Sequence, residues 1–332
     1  MESKTFALDI GYGSTKCAYR KPDGKVGTDM FPSLAPFRAP GSVSASGGAG
    51  FGNRDVVTVT VNGTQYEVGP DVPLNAAYGE TGRVLIEEYV RTDNYAALLA
   101  GAVYRAGFSR IRRLILGLPV HTMERFAREL KERFTGKHEF GHGPITIDAV
   151  SVVPQPLGSM SYASSLYPEI RQKRHDYLLI DVGYFTTDWV YVSNFMVDDR
   201  RSGGRPGGSS HVLQRIAANI GKEYERPVDD IERIDVCLRE KAKFRFFSHE
   251  LDLAPYLAEA QQLIKAVIMG IGQRVGALQS VESIILTGGG SDLYYPALRE
   301  MHRETRIQLL ESPCFANAVG FLLLIESMPA LH

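Results

Sequence analysis

Short apolar runs that end in turn residues alternate along this chain with longer segments whose apolar residues recur every three or four positions. Residues 5–10, 111–118 and 283–287 have the length and composition of buried strands, whereas residues 123–134 carry apolar side chains at helical spacing. Strand, helix and strand in this order form a βαβ pattern, which predicts an α/β fold with parallel strands.

Two of the predicted strands end in the same way. Residues 8–16 read Leu-Asp-Ile-Gly-Tyr-Gly-Ser-Thr-Lys, and residues 180–188 read Ile-Asp-Val-Gly-Tyr-Phe-Thr-Thr-Asp. Each run passes from an Asp-x-Gly strand end through a small, hydroxyl-rich turn into a second strand. The repeat predicts two duplicated α/β halves, each of which opens with such a hairpin.

The remaining patterns set the expected domain boundaries. Residues 32–53, rich in Pro, Gly, Ser and Ala, predict a long excursion, and Asn62-Gly63 between alternating runs predicts a β-hairpin. We therefore expect domain I at residues 1–156 and 312–332, with a small inserted β-rich subdomain at residues 31–82. Domain II is expected at residues 157–311, with a helical subdomain at about residues 211–280. Residues 198–210, rich in Gly and Arg, are predicted to form an exposed loop.

The bulk composition narrows the classes of function. The 332 residues are enough for two domains, and a net charge of −1 favours neither nucleic acid nor an anionic membrane as a partner. Three cysteines, far apart and odd in number, indicate a reducing compartment and predict a cytoplasmic protein. No apolar run approaches the roughly 20 residues that span a bilayer, and no direct nucleic-acid motif is found.

The paired hairpins have the residue types of two phosphate loops. Gly allows close approach of backbone N–H groups to phosphate, and Asp9 and Asp181 can supply oxygen ligands to Mg²⁺. Lys16 can place a positive charge beside the first loop. Taken singly, each Asp could merely cap its own turn, and Lys16 could be a solvated strand residue.

Two further segments are candidates for binding or chemistry. Gly288-Gly289-Gly290-Ser291 follows a buried strand and precedes a helix, where backbone can pack flat against a ligand, although an ordinary tight turn has the same composition. Gln155 lies between two prolines at the predicted domain crossover and could orient a water for attack on a phosphate. From the residues alone, an exposed loop glutamine is the stronger interpretation of Gln155.

In this order and spacing, the motifs resemble those of the actin, sugar kinase and heat-shock chaperone ATPase superfamily. Residues 9–16 resemble its first phosphate motif, residues 181–188 its second, and residues 285–291 its adenosine motif. The connecting motifs are similar around Leu118-Pro119 and Val153-Pro154-Gln155, and in the closing helix at residues 316–320. Within the superfamily, the chain most resembles the ParM/StbA type of prokaryotic actin-like proteins.

The resemblance implies an actin-like fold with a nucleotide cleft between its two domains, which binds and hydrolyses ATP or GTP with Mg²⁺. It makes Gln155 and Asp181 the catalytic residues and Asp9 and Asp181 the Mg²⁺ ligands, through water. The implied cofactor-binding residues are Asp9, Gly11, Tyr12, Gly13, Ser14, Thr15, Lys16, Gly183, Tyr184, Phe185, Thr186, Lys222, Glu223, Gly288, Gly289, Gly290 and Ser291. Because Tyr12, Tyr184 and Phe185 stand where relatives have small residues, they are expected to crowd the two loops.

The resemblance also implies how such a protein would act. ParM-type proteins assemble head to tail into filaments and commonly move plasmids, so the expected partners are further copies of this chain and a DNA-binding adaptor protein. A small-molecule kinase of the same superfamily is the alternative, although the only base candidate for it is Asp181. A chaperone is disfavoured because too few residues follow the adenosine motif for a separate substrate-binding domain.

Overall fold

The computed structural model describes residues 1–38, 54–74, 76, 83–172 and 174–327. The chain divides into two compact units. The first unit comprises Met1–Leu118, Thr122–Tyr162 and the residues from Asn317 onward, and the second comprises Pro119–His121 and Ala163–Ala316. Most of the predicted excursion, residues 39–53, and most of residues 75–82 lie outside the described residues.

The first unit contains one mixed sheet and a separate two-stranded sheet. Its strands are β1 (Glu2–Ile10), β2 (Ser14–Arg20), β3 (Val26–Pro32), β4 (Val57–Val61), β5 (Thr64–Val68), β6 (Arg110–Leu118), β7 (Gly136–Glu139), β8 (Pro144–Ile147) and β9 (Val150–Pro154). Its helices are α1 (Asp93–Arg105), α2 (Met123–Phe134) and α3 (Gln155–Leu166), the last of which continues into the second unit. The sheet order is β3-β2-β1-β6-β8-β7, and β9 pairs with β6.

Local sequence explains these elements. The hydroxyl of Thr92 accepts the N–H of Tyr95 and so caps the start of α1. Helix α2 buries Phe126, Leu130 and Phe134 along one stripe against the sheet, as its periodicity predicts. The predicted hairpin at Asn62-Gly63 is confirmed, since β4 and β5 pair around a turn in which both residues have positive φ.

The second unit has its own sheet and helices. Its strands are β10 (Asp176–Val182), β11 (Thr186–Ser193), β12 (Met196–Val197), β13 (Gly203–Pro206), β14 (Phe244–Phe246), β15 (His249–Leu251), β16 (Val281–Thr287) and β17 (Arg306–Leu309). Its helices are α4 (Ser209–Glu223), α5 (Ile231–Glu240), α6 (Ala254–Val275) and α7 (Ser291–Met301). The main sheet has the order β12-β11-β10-β16-β17, and β13 pairs with β11.

The prediction of an exposed loop at residues 198–210 is wrong in its second half. Strand β13 pairs with β11 through Thr187 and Arg205, and Ser202 beside it is buried and accepts the N–H of Tyr191. The free edge of β11 supplies hydrogen-bonding partners, which outweigh the low strand propensity of a Gly-Gly-Arg-Pro segment.

The closing helix, α8 (Ala316–Ser327), packs on the sheet of the first unit. Phe321 is fully buried there. Its ring lies directly against Gly117 and Gly158, where a Cβ would come within about 2.5 Å of it, so both positions need glycine. At Gly320 a Cβ would lie 1.7 Å from the carbonyl oxygen of Gly158, so α3 and α8 meet backbone to backbone. Within the described residues, no helix is both long enough and apolar enough to cross a membrane.

Candidate functional site

The first hairpin brings three of the predicted site residues together. Asp9 and Lys16 are paired positions of β1 and β2, and Lys16 Nζ lies 3.5 Å from Asp9 Oδ2. Gln155 Nε2 donates to Asp9 Oδ1 at 2.8 Å, and Asp9 is only 2% exposed. The interpretation of Gln155 as an exposed loop residue is therefore wrong, because it begins α3 with its amide on the buried carboxylate.

The first loop, residues 11–14, is closed by the N–H of Gly11 donating to Ser14 O at 3.2 Å. Two residues that the sequence did not single out hold it. Ser33 donates its hydroxyl to Gly11 O and its N–H to Gly13 O, and its hydroxyl also lies 2.9 Å from that of Thr15. Arg83 donates to the carbonyl oxygens of Tyr12 and Gly13.

The side chain of Tyr12 belongs to the packing of the first unit. Its hydroxyl donates to Ile86 O at 2.9 Å, and its ring stacks on that of Tyr89 with centroids 5.0 Å apart. Burial raises the pKa of Tyr89, so this neighbour stays a neutral phenol. The tyrosine of the first loop is thus fixed by residues 86–89.

The second hairpin repeats the backbone arrangement of the first. In the second loop, residues 183–186, the N–H of Gly183 donates to Thr186 O at 2.9 Å, the equivalent of the Gly11–Ser14 bond. Asp181 is 7% exposed. In the strand register it lies opposite Asp188 of β11 and Thr287 of β16. The duplication predicted from the sequence is present at the level of single hydrogen bonds.

The glycine turn, residues 288–291, lies directly against the second hairpin. Gly288 has φ +88°, and a Cβ there would lie 2.4 Å from both Asp181 Oδ1 and Val182 O. Gly290 donates its N–H to Val182 O at 2.9 Å. No larger residue fits at Gly288, so the glycine-rich composition places backbone beside the Asp181 carboxylate.

The start of α4 is a part of this arrangement that sequence reasoning missed. A Cβ at Gly208 would lie 2.5 Å from Gly183 O, and the N–H groups of Ser209 and Ser210 donate to Gly183 O and Tyr184 O at 3.0 and 2.8 Å. The Ser210 hydroxyl is buried and has no hydrogen-bond partner among the described residues. The sequence Gly-Gly-Ser-Ser at residues 207–210 could have indicated this helix start, since Gly and Ser favour the first positions of helices.

The two aromatic residues of the second loop contact the helices beside it. Tyr184 donates its hydroxyl to Glu232 Oε1 at 2.7 Å, and the ring of Phe185 stacks on His211 with centroids 5.9 Å apart. Like Tyr12, both aromatic side chains therefore pack against residues of their own unit.

Lys222 and Glu223 are exposed in the last turn of α4. At 1.5 Å per residue they lie about 20 Å from Ser209 and Ser210 at the start of the helix. Glu223 accepts the hydroxyl of Tyr256 at 2.6 Å. The structure thus does not bring these two residues together with the second loop, and their ribose contact stays a prediction.

The residue types fit a magnesium–nucleotide group. The first hairpin offers one buried carboxylate, Asp9, and the second offers two, Asp181 and Asp188, while the glycine turn offers close backbone. In the part of the chain that the structure describes, no three His, Cys, Asp or Glu side chains lie close enough to hold a metal by themselves. One or two carboxylates that act together with waters and phosphate oxygens are the usual setting of Mg²⁺.

Two α/β units, each opening with an Asp-x-Gly hairpin of the same hydrogen bonding, define the actin-like class of proteins. Residues 7–158 match the family described as the N-terminal domain of actin-like proteins. Residues 179–300 match the C-terminal domain of the archaeal actin homologue that is described as MreB-like. The two matches together cover most of the chain, which belongs to the actin-like proteins.

Solved structures share this fold along the whole chain. A native crystal structure of an archaeal actin homologue has a TM-score of 0.75 and 21% identity, and it covers 98% of this chain and 100% of its own. The ParM of a 15-stranded filament from Clostridium botulinum has a TM-score of 0.79 and 20% identity, with 99% and 100% covered. The archaeal homologue in complex with ADP has a TM-score of 0.73 and 20% identity, with 98% and 100% covered.

These likenesses confirm the predicted actin-like α/β fold and the resemblance to ParM at the level of fold. No curated protein sequence matches the chain significantly.

Proposed function

We propose that this protein binds ATP with Mg²⁺, hydrolyses it and assembles head to tail into filaments. The observation that carries the proposal is the first hairpin, where Lys16 and Gln155 converge on the buried carboxylate of Asp9. The solved ADP complex of the archaeal homologue and the ParM filament support nucleotide binding and assembly by analogy of fold. We further propose plasmid or DNA segregation through an adaptor protein as its role, and a cytoplasmic location.

The residues divide the chemistry between them. Asp9 and Asp181 would hold the waters of Mg²⁺, which supplies positive charge to the phosphate oxygens when bound. Lys16 would add a second positive charge, and the loop and glycine-turn backbone would contact phosphate and nucleoside. That both hairpins bind the same nucleotide stays a prediction from the sequence.

Gln155 would orient the attacking water. Its amide is too weak a base to take a proton, but its Nε2 is engaged by Asp9, which fixes the direction of the amide oxygen. A fixed acceptor can hold a water in line with the phosphate that is attacked. Because Asp9 orients Gln155, a change at Asp9 should affect binding and turnover together.

Assembly would follow the state of the nucleotide. Head-to-tail contacts use two different surfaces and need not close, which produces a polymer. A nucleotide shifts such an equilibrium only if it binds the assembling conformation more tightly than the other conformation. ATP should therefore favour the filament, and hydrolysis should weaken it.

Alanine variants test the assigned residues. We expect Asp9→Ala and Asp181→Ala to lose ATP hydrolysis, because each removes a carboxylate from the Mg²⁺–phosphate group. Gln155→Ala should slow phosphate release by about 100-fold, since only water orientation is lost, and its filaments should persist longer. The measurement is phosphate release from ATP without any added small-molecule substrate. It also distinguishes hydrolysis from a kinase activity, because a kinase needs such a substrate to accept the phosphate.

Asp148→Ala is the matched control for the carboxylates. Asp148 pairs with Arg110 at the surface of the first unit, and its removal should leave turnover unchanged. Wild-type turnover in Asp181→Ala would contradict the role of the second hairpin, and unchanged turnover in Gln155→Ala would remove that residue from the mechanism.

A further inference from the structure

A buried carboxylate lies beside the second loop. Glu232 is 7% exposed in the first turn of α5, where it accepts the hydroxyl of Tyr184 at 2.7 Å. Burial of a carboxylate is costly unless it is hydrogen-bonded, and the first turn of a helix favours an acidic residue. Asp230 caps the same turn by accepting the N–H of Arg233, so α5 begins at a well-defined residue.

Tyr184 is held from two sides. Its carbonyl oxygen accepts the N–H of Ser210, and its backbone lies against Gly208, where a Cβ would come within 2.6 Å. The start of α4 thus fixes the backbone of the second loop, while α5 fixes the tyrosine side chain through Glu232. Between them, the two helices leave this part of the loop little freedom.

The position of Tyr184 gives this pair a role beyond stability. Tyr184 follows Gly183 directly, and the Gly183–Thr186 hydrogen bond closes the loop that we propose contacts phosphate. A displacement of about 1 Å in a group that binds a reacting ligand can cost up to about 100-fold in rate. Restraint of Tyr184 therefore controls the placement of the adjacent loop backbone.

We propose that Glu232 is a positioning residue for nucleotide binding, which acts through Tyr184 to set the conformation of the second loop. The inference rests on the proposed function, because it assigns how that same loop is held. It also connects the loop to α5, so that a shift of α5 would change the affinity for the nucleotide.

A pair of tyrosine variants tests this. Tyr191 in β11 donates its hydroxyl to Asp176 Oδ2 at 2.8 Å, at the other end of the same hairpin from the loop. Tyr184→Phe and Tyr191→Phe each remove a hydroxyl–carboxylate bond of similar length, and Tyr191→Phe also removes a 3.3 Å contact with the Ser280 hydroxyl. We expect Tyr184→Phe to raise the KM for ATP about tenfold, whereas Tyr191→Phe should leave the KM unchanged and lower only the melting temperature.

Variants of the acceptor complete the test. Glu232→Gln keeps an acceptor oxygen and should raise the KM less than Glu232→Leu, which removes it. If Glu232→Leu does not fold, the tyrosine pair still decides the question. Absence of ATP binding by the wild-type protein would refute the proposed function, whereas tight wild-type binding with an unchanged KM in Tyr184→Phe would overturn the positioning role alone.

Discussion

Asp9 and Asp181 are buried carboxylates at equivalent positions of two hairpins, and burial of this kind needs a compensating partner. Asp9 has Lys16 and Gln155 beside it, and Asp181 lies against the backbone of Gly288. Buried carboxylates of this kind, one beside a lysine and the other against glycine backbone, have the residue types that hold the waters of a Mg²⁺ ion. At the residue scale, this chemistry supports a magnesium–phosphate ligand.

The three thiols provide a test at this scale. Burial, together with the nearby charge of Asp29, raises the pKa of Cys17 to about 12, and burial raises that of Cys237. Since the thiolate is the reactive form, Cys17 should be nearly inert to iodoacetamide at pH 8, and Cys237 should react slowly. Cys314 is partly exposed and lies 3.9 Å from where a Cβ of Gly289 would be. We expect Cys314 to be alkylated first, and ATP with Mg²⁺ to slow its alkylation.

Peptide mass spectrometry of the alkylated protein measures this, with Cys314→Ser as the control. Modification of Cys17 as fast as that of Cys314 would contradict the assigned burial. Labelling of Cys314 at the same rate with and without nucleotide would contradict a ligand at the glycine turn.

Some site residues could be predicted from the sequence and others could not. Asp9, Lys16 and the glycine turn stand in local motifs whose residue types report the chemistry. Ser33, Arg83 and Glu232 reach the loops from distant parts of the chain, and no local pattern marks them. The residues alone favour an exposed loop for Gln155 for the same reason, because its contact with Asp9 joins residues 146 positions apart.

At the scale of elements, two tight hairpins carry phenylalanine in an unfavourable backbone conformation. Phe195 between β11 and β12 has φ 62°, and Phe247 between β14 and β15 has φ 51°. Both side chains are exposed, by 48% and 62%. Left-handed backbone costs an L-residue about 1–2 kcal/mol, whereas glycine adopts it without penalty.

Glycine substitution should therefore stabilise the first of these turns. We expect Phe195→Gly to raise the free energy of unfolding by about 1 kcal/mol, because the strain is relieved and little burial is lost. Phe247→Gly should gain less, because the guanidinium of Arg226 lies over that ring, 4.8 Å from its centroid. Urea denaturation measures both variants, and a clear destabilisation by Phe195→Gly would contradict this account of the turn.

The elements themselves followed the sequence where local and tertiary preferences agree. Helix α2 and the β4–β5 hairpin form where the apolar period and the Asn62-Gly63 turn signal predict them. Strand β13 was missed because only its pairing with β11 makes it a strand. Edge pairing of this kind depends on a partner strand that the local sequence does not contain.

At the scale of the whole molecule, each unit has its own apolar core and its own hairpin of the same design. The chain passes between the units near Leu118, in α3 after Tyr162, and again at Ala316. The division could be expected from the repeated motif, because a duplicated sequence pattern predicts two related folding units. The residues at which one unit ends and the other begins could not be predicted, because α3 and α8 run across these boundaries without a break in their helical pattern.

Sedimentation of the purified protein tests the central claim, nucleotide-dependent assembly, most directly. Wild-type protein, Asp181→Ala and Asp148→Ala are each centrifuged over a series of concentrations with Mg²⁺ and ATP, with ADP, or without nucleotide. We predict that wild type and Asp148→Ala pellet with ATP above a threshold concentration, pellet less with ADP, and that Asp181→Ala loses this dependence on the nucleotide. Wild-type protein that stays in the supernatant with ATP at every concentration and salt tested would contradict the account.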